Sequence, residues 1–142
     1  MKNIIPGSFY DSQNEVKPET ILISFFDKTL RIRLELGART MFTLPFMPVI
    51  NLIKEARSDK SKSDTTKEIV IHGHYANLQN NVNFTQGDIT VSYTYYDDEH
   101  AELISFFAPG CGKIQVNLKR IIPFMDNKMK YAIGQNDEPG CF

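Results

Sequence analysis

The chain has little cysteine, no tryptophan, no surplus of charge and no long apolar run, and each shortage narrows what it can be. Two cysteines, Cys111 and Cys141, make neither a disulfide framework nor a zinc site by themselves, so both read as free thiols of a reducing compartment. Sixteen basic against 17 acidic side chains leave a formal net charge of −1, which removes the simplest sign of a nucleic-acid binder, a strongly basic domain. No apolar run approaches the roughly 20 residues of a membrane helix. Met1 to Pro6 lacks the apolar stretch of a signal peptide, so a cytoplasmic protein with no membrane segment is expected.

What is present fits one domain. At 142 residues, 42% of them apolar and 23% charged, the chain is long enough for a core of its own. Leu22-Ile23-Ser24-Phe25-Phe26 returns letter for letter as Leu103-Ile104-Ser105-Phe106-Phe107. Each copy precedes an alternating segment, Leu30 to Leu36 and Lys113 to Lys119, and each of those leads to a Pro-Phe-Met, at Pro45 and Pro123. Self-similarity in fixed order points to a duplicated strands-then-helix unit.

Residues 1–19, with Pro6, Gly7, Asn14 and Pro18, read as an irregular arm, and 20–134 as a single β-rich domain. Leu30, Ile32, Leu34 and Leu36 face one way and Arg31, Arg33 and Glu35 the other, the period of a half-buried strand. A short strand over 39–44 precedes a helix opened by Pro45 or Pro48, with an apolar stripe of Val49, Ile50, Leu52, Ile53 and Ala56. Residues 58–66, rich in Ser and charge, read as a mobile loop. Strands are expected over Glu68 to His74, Val82 to Phe84, Asp88 to Tyr96, Ala101 to Ala108 and Lys113 to Arg120. A helix follows over Pro123 to Ile133, and 135–142 reads as a flexible tail. The fold class is α+β, predominantly antiparallel β, with two helices and a curved sheet or small barrel.

Little in the chain carries catalytic chemistry. His72 and His74 share one side of a strand and could reach one metal, with His100 or Asp97 to complete it, but no spacing rule joins them. Asp97-Asp98-Glu99 is a run of acids in a turn, where solvation is the ordinary fate. Gly110-Cys111-Gly112-Lys113 lacks the spacing and the Ser/Thr of a phosphate loop, and Cys111 has no base assigned to it. No enzyme, cofactor or metal is expected.

Aromatic and basic residues on strands offer more. Single-stranded nucleic acid is held by rings that stack on bases and by cations that follow phosphates. Phe25, Phe26, Tyr93, Tyr95, Tyr96, Phe106 and Phe107 fall on expected strands. Arg31 and Arg33 share a polar face, as do Lys113 and Lys119, and Arg39 lies near the first pair. At least half of the rings are expected in the core. Tyr93 and Tyr95, on the face of Ile89 and Val91, suit either a core with emerging hydroxyls or a stacking surface.

Strands followed by a helix, given twice, resembles the Whirly, Pur-alpha and positive-cofactor-four group of single-stranded-DNA binders, most fully over Leu30 to Glu55. That resemblance implies no catalytic residues, binding across curved antiparallel sheets, and dimers or higher oligomers. It nominates Arg31 and Arg33, then Lys113 and Lys119, as backbone contacts. The strand and helix order is also similar to the OB-fold of bacterial and phage single-strand-binding proteins. Their acidic tails end in an aromatic, as Asp137-Glu138-Pro139-Gly140-Cys141-Phe142 does thinly here, which implies a protein partner docked through Phe142.

The expected function is therefore non-enzymatic binding of single-stranded DNA or RNA with low sequence specificity, by a homo-oligomer of phage, plasmid or cellular origin. The expected contacts are Arg31, Arg33, Arg39, Tyr93, Tyr95, Phe106, Lys113 and Lys119. The rival is a small protein-binding module, an inhibitor or assembly factor. A metal-dependent enzyme using His72 and His74 comes third.

Overall fold

The computed structural model describes residues 3–11, 15–26, 31–37, 39–59, 65–78, 84–125 and 127–133. Four strands come first: β1 (Asn3–Tyr10), β2 (Val16–Phe26), β3 (Arg31–Leu36) and β4 (Thr40–Pro45). Helix α1 (Met47–Asp59) follows, then β5 (Thr65–Asn77), β6 (Thr85–Tyr96), β7 (Ala101–Ala108) and β8 (Gly112–Asn117). The chain ends in α2 (Leu118–Ile121), a 3-10 turn (Ile122–Phe124) and α3 (Asn127–Ala132).

Every strand pairs antiparallel with its neighbours in sequence, and β1 pairs β8 over Ser8–Tyr10 and Lys113–Gln115, closing an eight-stranded barrel. Closure leaves little open sheet edge to template association, the exception being Asn3–Gly7 of β1, which do not pair with β8. The closing pair is short, and Gly7 sits just beyond it. A Cβ at Gly7 would stand 2.3 Å from Ile21 Cδ1 and 2.8 Å from the Gln115 carbonyl oxygen, so only glycine lets the seam come together.

Alternation sorts the wall. Ile32, Leu34 and Leu36 of β3, Ile89, Val91, Tyr93 and Tyr95 of β6, and Ile114 and Val116 of β8 are buried, while the residues between them face out. The interior is one apolar cluster that also takes in Val49, Ile50, Leu52, Ile53 and Ala56 of α1 with Met125, Met129 and Ile133. Apolar inside and polar outside is the reverse of a membrane-spanning barrel, whose outward band is apolar. No helix among the described residues is long and apolar enough to cross a membrane.

The helices stay on the barrel through specific contacts. Phe46 packs edge-on against Phe25 of β2, ring centroids 5.0 Å apart. Arg57 of α1 donates from Nε to Glu102 Oε2 at 2.8 Å and from Nη2 to Oε1 at 2.9 Å, and its Nη1 reaches the Ile133 carbonyl oxygen at 2.6 Å. Tyr93 donates its hydroxyl to the same Glu102 Oε2 at 2.6 Å.

Several expectations change. The irregular arm assigned to 1–19 is in large part strand. Ile5 and Phe9 face inward at strand period with Gly7 between them, and Gly7 and Pro6 break the pattern that would have announced it. Eight strands exclude the five-stranded OB topology. The strand expected through Arg120 stops at Asn117, whose side chain caps α2 by accepting from the Lys119 N–H at 3.1 Å. The helix expected over Pro123–Ile133 is broken into a 3-10 turn and α3. Of the loop expected over 58–66, helix α1 takes 58–59 and β5 takes 65–66, and 60–64 lie outside the described residues. So do 82–83 of the short strand expected over Val82–Phe84, whose Phe84 precedes β6 without joining a strand, and the tail 135–142.

The repeated pentapeptide keeps its orientation. Ile23 and Ile104 are buried, Phe25 and Phe106 point inward, and Phe26 and Phe107 are exposed. It occupies the second strand of the first four and the third of the last four, so the echo is out of step with the two strand-and-helix halves.

Candidate functional site

The barrel divides the residues nominated from sequence into three groups. Tyr93 and Phe106 are fully buried and Tyr95 is 6% exposed, so none of the three can stack on a base; this corrects their assignment to a binding surface. They fall on the inward side because each shares strand period with buried Ile or Val neighbours. Burial, and then the hydrogen bond to Glu102, hold the Tyr93 hydroxyl well above the usual phenol range. Arg39 is engaged, with Nη1 2.9 Å from Glu19 Oε2 and its guanidinium 5.7 Å from the Phe9 ring centroid.

The remaining four face solvent but do not share one surface. Arg31 and Arg33 lie outward on β3, and Lys113 lies outward on β8 with Lys119 exposed on α2 just beyond. Strands β1 and β2 separate the two pairs.

A concave surface lies on the Lys113 side, on the outer wall of β5, β6, β7, β8 and β1. Strand pairing sets side chains there in rows, because partners opposite each other point to the same face. One row reads Val70, Thr90, Phe107, Lys113, Tyr10. The next reads Glu68, Ser92, Ser105, Gln115, Ser8. The first row therefore sets a lysine between two aromatic rings, with Lys113 Nζ 4.3 Å from the Tyr10 ring centroid. The Tyr10 hydroxyl donates to Gln115 Oε1 at 3.0 Å, which fixes the ring against the wall.

Hydroxyls floor the surface. Thr90, Ser92, Thr94 and Ser105 line a groove of about 390 Å³ with Tyr10, Tyr96, Phe107 and Lys113 around it. Glu68 is the one carboxylate among the described residues that line it, and it accepts from Ser92 Oγ at 3.2 Å. A second hollow of about 390 Å³ opens where β1 draws away from β8, and Lys119 and Arg120 stand at its end; Gln115 borders both. The wall thus offers stacking rings, hydrogen-bonding hydroxyls and a line of three cations on β8 and α2.

Tyr10, Gln115, Tyr96 and Phe107 were not among the nominated contacts. Tyr10 was hidden by reading 1–19 as irregular, although Ser8 and Tyr10 alternate with Phe9. Its place depends on Gly112, whose φ of 74° lies in the left-handed region and where a Cβ would sit 2.6 Å from the Tyr10 carbonyl oxygen. The glycine beside Cys111 thus lets β8 start beneath Tyr10.

His72 and His74 share the outer side of β5, and His72 Nδ1 is 3.5 Å from Asp88 Oδ1 on an open surface. Among the described residues no group of three or more His, Cys, Asp or Glu could hold a metal ion. Cys111 is buried, and burial pushes its thiol up, away from the reactive thiolate. In the acidic turn, the Tyr95 hydroxyl donates to Asp97 Oδ1 at 3.2 Å.

The fold defines a closed eight-stranded antiparallel barrel with short helices. No protein-family model, curated protein or solved structure matches the chain.

Proposed function

We propose that this chain binds single-stranded nucleic acid, DNA or RNA, with little base preference, on the outer wall of β6, β7, β8 and β1. The observation that carries this reading is the row Phe107, Lys113, Tyr10, in which a cation sits between two solvent-facing rings on adjacent strands. Bases stack on such rings at about 1–3 kcal/mol each, whatever their identity. Lys113, Lys119 and Arg120 follow the phosphates, and the Ser and Thr hydroxyls bond to sugars, phosphates or base edges. Near-neutral net charge is compatible with this, since local charge sets the field a ligand meets.

Four strands then a helix, twice over, agrees with the resemblance to the Whirly, Pur-alpha and positive-cofactor-four group and supports it. The same reading includes a homo-oligomer, which would join several short sites into one longer one. Fluorescence polarisation of a labelled oligothymidine of about 30 nucleotides tests it, that length spanning several sites of about 4–16 nucleotides. Binding that falls steeply between low and moderate salt is expected. No binding at tens of micromolar protein in low salt would remove the reading.

A second reading, a protein-binding module, is favoured by the seam. Residues Asn3–Gly7 of β1 do not pair with β8, and Ile4 beside them is 60% exposed. An extended peptide could add its backbone there. That module would ignore oligonucleotides.

A further inference from the structure

We propose that the outer face of β2, β3 and β4 is a second site for single-stranded nucleic acid, so that one chain holds two strands at once. This rests on the reading above and adds a bridging activity to it. Pairing sets a row of Ser24, Arg33, Thr43, His74 and Gln86 across this face, and Phe26 lies opposite Arg31 in the next row.

Neither arginine of this face is tied up by a carboxylate among the described residues. Arg39 and Arg57 each hold a carboxylate, whereas among the described residues Arg31 and Arg33 make no ion pair. Glu35, the next outward residue on β3, pairs with neither. Arg31 donates from Nη2 to the Thr43 carbonyl oxygen at 3.3 Å, which fixes its stem along β4. The Arg33 guanidinium lies 5.4 Å from the centroid of the 39% exposed Phe26 ring, and its buried Nε has no hydrogen-bond partner. A guanidinium laid on an exposed ring presents forked donors to a phosphate beside a surface on which a base can stack. The arrangement repeats, with arginine for lysine, the pairing of Lys113 with Tyr10.

The faces are separate because the outward-facing pairs between them carry no charge, Lys17 and Glu19 of β2 standing at the other parity, opposite Phe9 and Gly7. The outward pairs of β1 and β2 are Ile4 with Leu22, Pro6 with Thr20, Ser8 with Pro18 and Tyr10 with Val16. A phosphate backbone crossing there would leave its cations behind, whereas each face alone offers them along its strands. Two strands, one per face, satisfy both sets of cations.

The test counts strands on the full chain. Native mass spectrometry with a 12-nucleotide oligothymidine should show two per chain. Donor- and acceptor-labelled copies of that oligonucleotide should transfer energy when protein is added. The double variant Arg31→Gln, Arg33→Gln should fall to one strand per chain, and that strand should still be released by Tyr10→Ala. Arg31→Lys with Arg33→Lys should restore the second strand in part. One strand per chain in the unaltered protein overturns the proposal, and so does a glutamine variant that keeps two. If that single strand is lost on Tyr10→Ala, the reading of the β8 wall survives alone; no strand at all overturns both.

Discussion

Arg57 and Glu102 meet in a two-pronged ion pair, Nε to Oε2 at 2.8 Å and Nη2 to Oε1 at 2.9 Å, that bolts α1 to β7. The Arg57 side chain is 22% exposed and that of Glu102 20%, so the pair is largely withdrawn from water. Its carboxylate also accepts the Tyr93 hydroxyl, so one group links the helix, the wall and the core. Glu102→Ala would leave a guanidinium and a phenol without their acceptor. Full burial would cost about 3–5 kcal/mol, and partial exposure lowers this to about 2 kcal/mol. The shift in urea midpoint measures it, and a change under about 0.5 kcal/mol, the size of an ordinary surface substitution, would show the pair to be ornamental.

Alkaline pH should loosen the fold through the same network. Tyr93 has its folded pKa raised, by burial first and by Glu102 next, so its neutral form is favoured in the native state. The contribution is fully present below the unfolded phenol value of about 10 and is lost as pH rises above it. Stability measured from pH 7 to 11 should hold and then fall. Tyr93→Phe should lower the plateau by about 1 kcal/mol and flatten the fall.

Removing one ring from the wall should weaken oligonucleotide binding without unfolding the barrel. Tyr10→Ala and Phe107→Ala should each cost about 1–3 kcal/mol of affinity, read by polarisation. Phe107 is 44% exposed, so its loss creates no cavity. Phe106, its neighbour, is fully buried, and Phe106→Ala should instead cost about 3–5 kcal/mol of stability.

Charge on β8 and α2 should appear in the salt dependence. Each phosphate contact on a single strand contributes about 0.7 to the slope of log affinity against log salt. Lys113→Gln and Lys119→Gln should each reduce the slope by about that amount and weaken all sequences alike. A slope that does not change would place the backbone elsewhere.

Closure of the barrel should be sensitive at Gly7. An alanine there meets the Gln115 carbonyl oxygen at 2.8 Å as well as the Ile21 side chain, and the backbone cannot rotate away. Overpacking of this kind costs about 1–3 kcal/mol, visible as a lower melting temperature. Hydrogen exchange should locate the loss in β1 and β8.

Much of the wall was legible because half-buried strands announce themselves. Ile32, Leu34 and Leu36 against Arg31, Arg33 and Glu35 fixed which side of β3 meets water, and the same logic held for β6 and the start of β8. The helical stripe from Val49 to Ala56 was equally plain. Two things were not. β1 was concealed because its inward position 7 is glycine, chosen for close approach and silent in a hydrophobic pattern. Which cations share a surface depends on which strands become neighbours, and that β1 closes on β8 is a long-range pairing no local period encodes. Tyr93, Tyr95 and Phe106 failed as contacts for a related reason: an aromatic on a strand has two sides to choose from, and only its parity with Ile89, Val91 and Ile104 decides.

The central claim, that the outer wall of β8 and its neighbours holds single strands, is tested most directly by titrating oligothymidine into isotopically labelled protein and following its amide resonances. The account predicts shifts concentrated at Tyr10, Ser105, Phe107, Lys113 and Gln115, with Arg31 and Arg33 moving as a second group. Shifts confined to the β1–β8 seam near Ile4, or none at all, would contradict it.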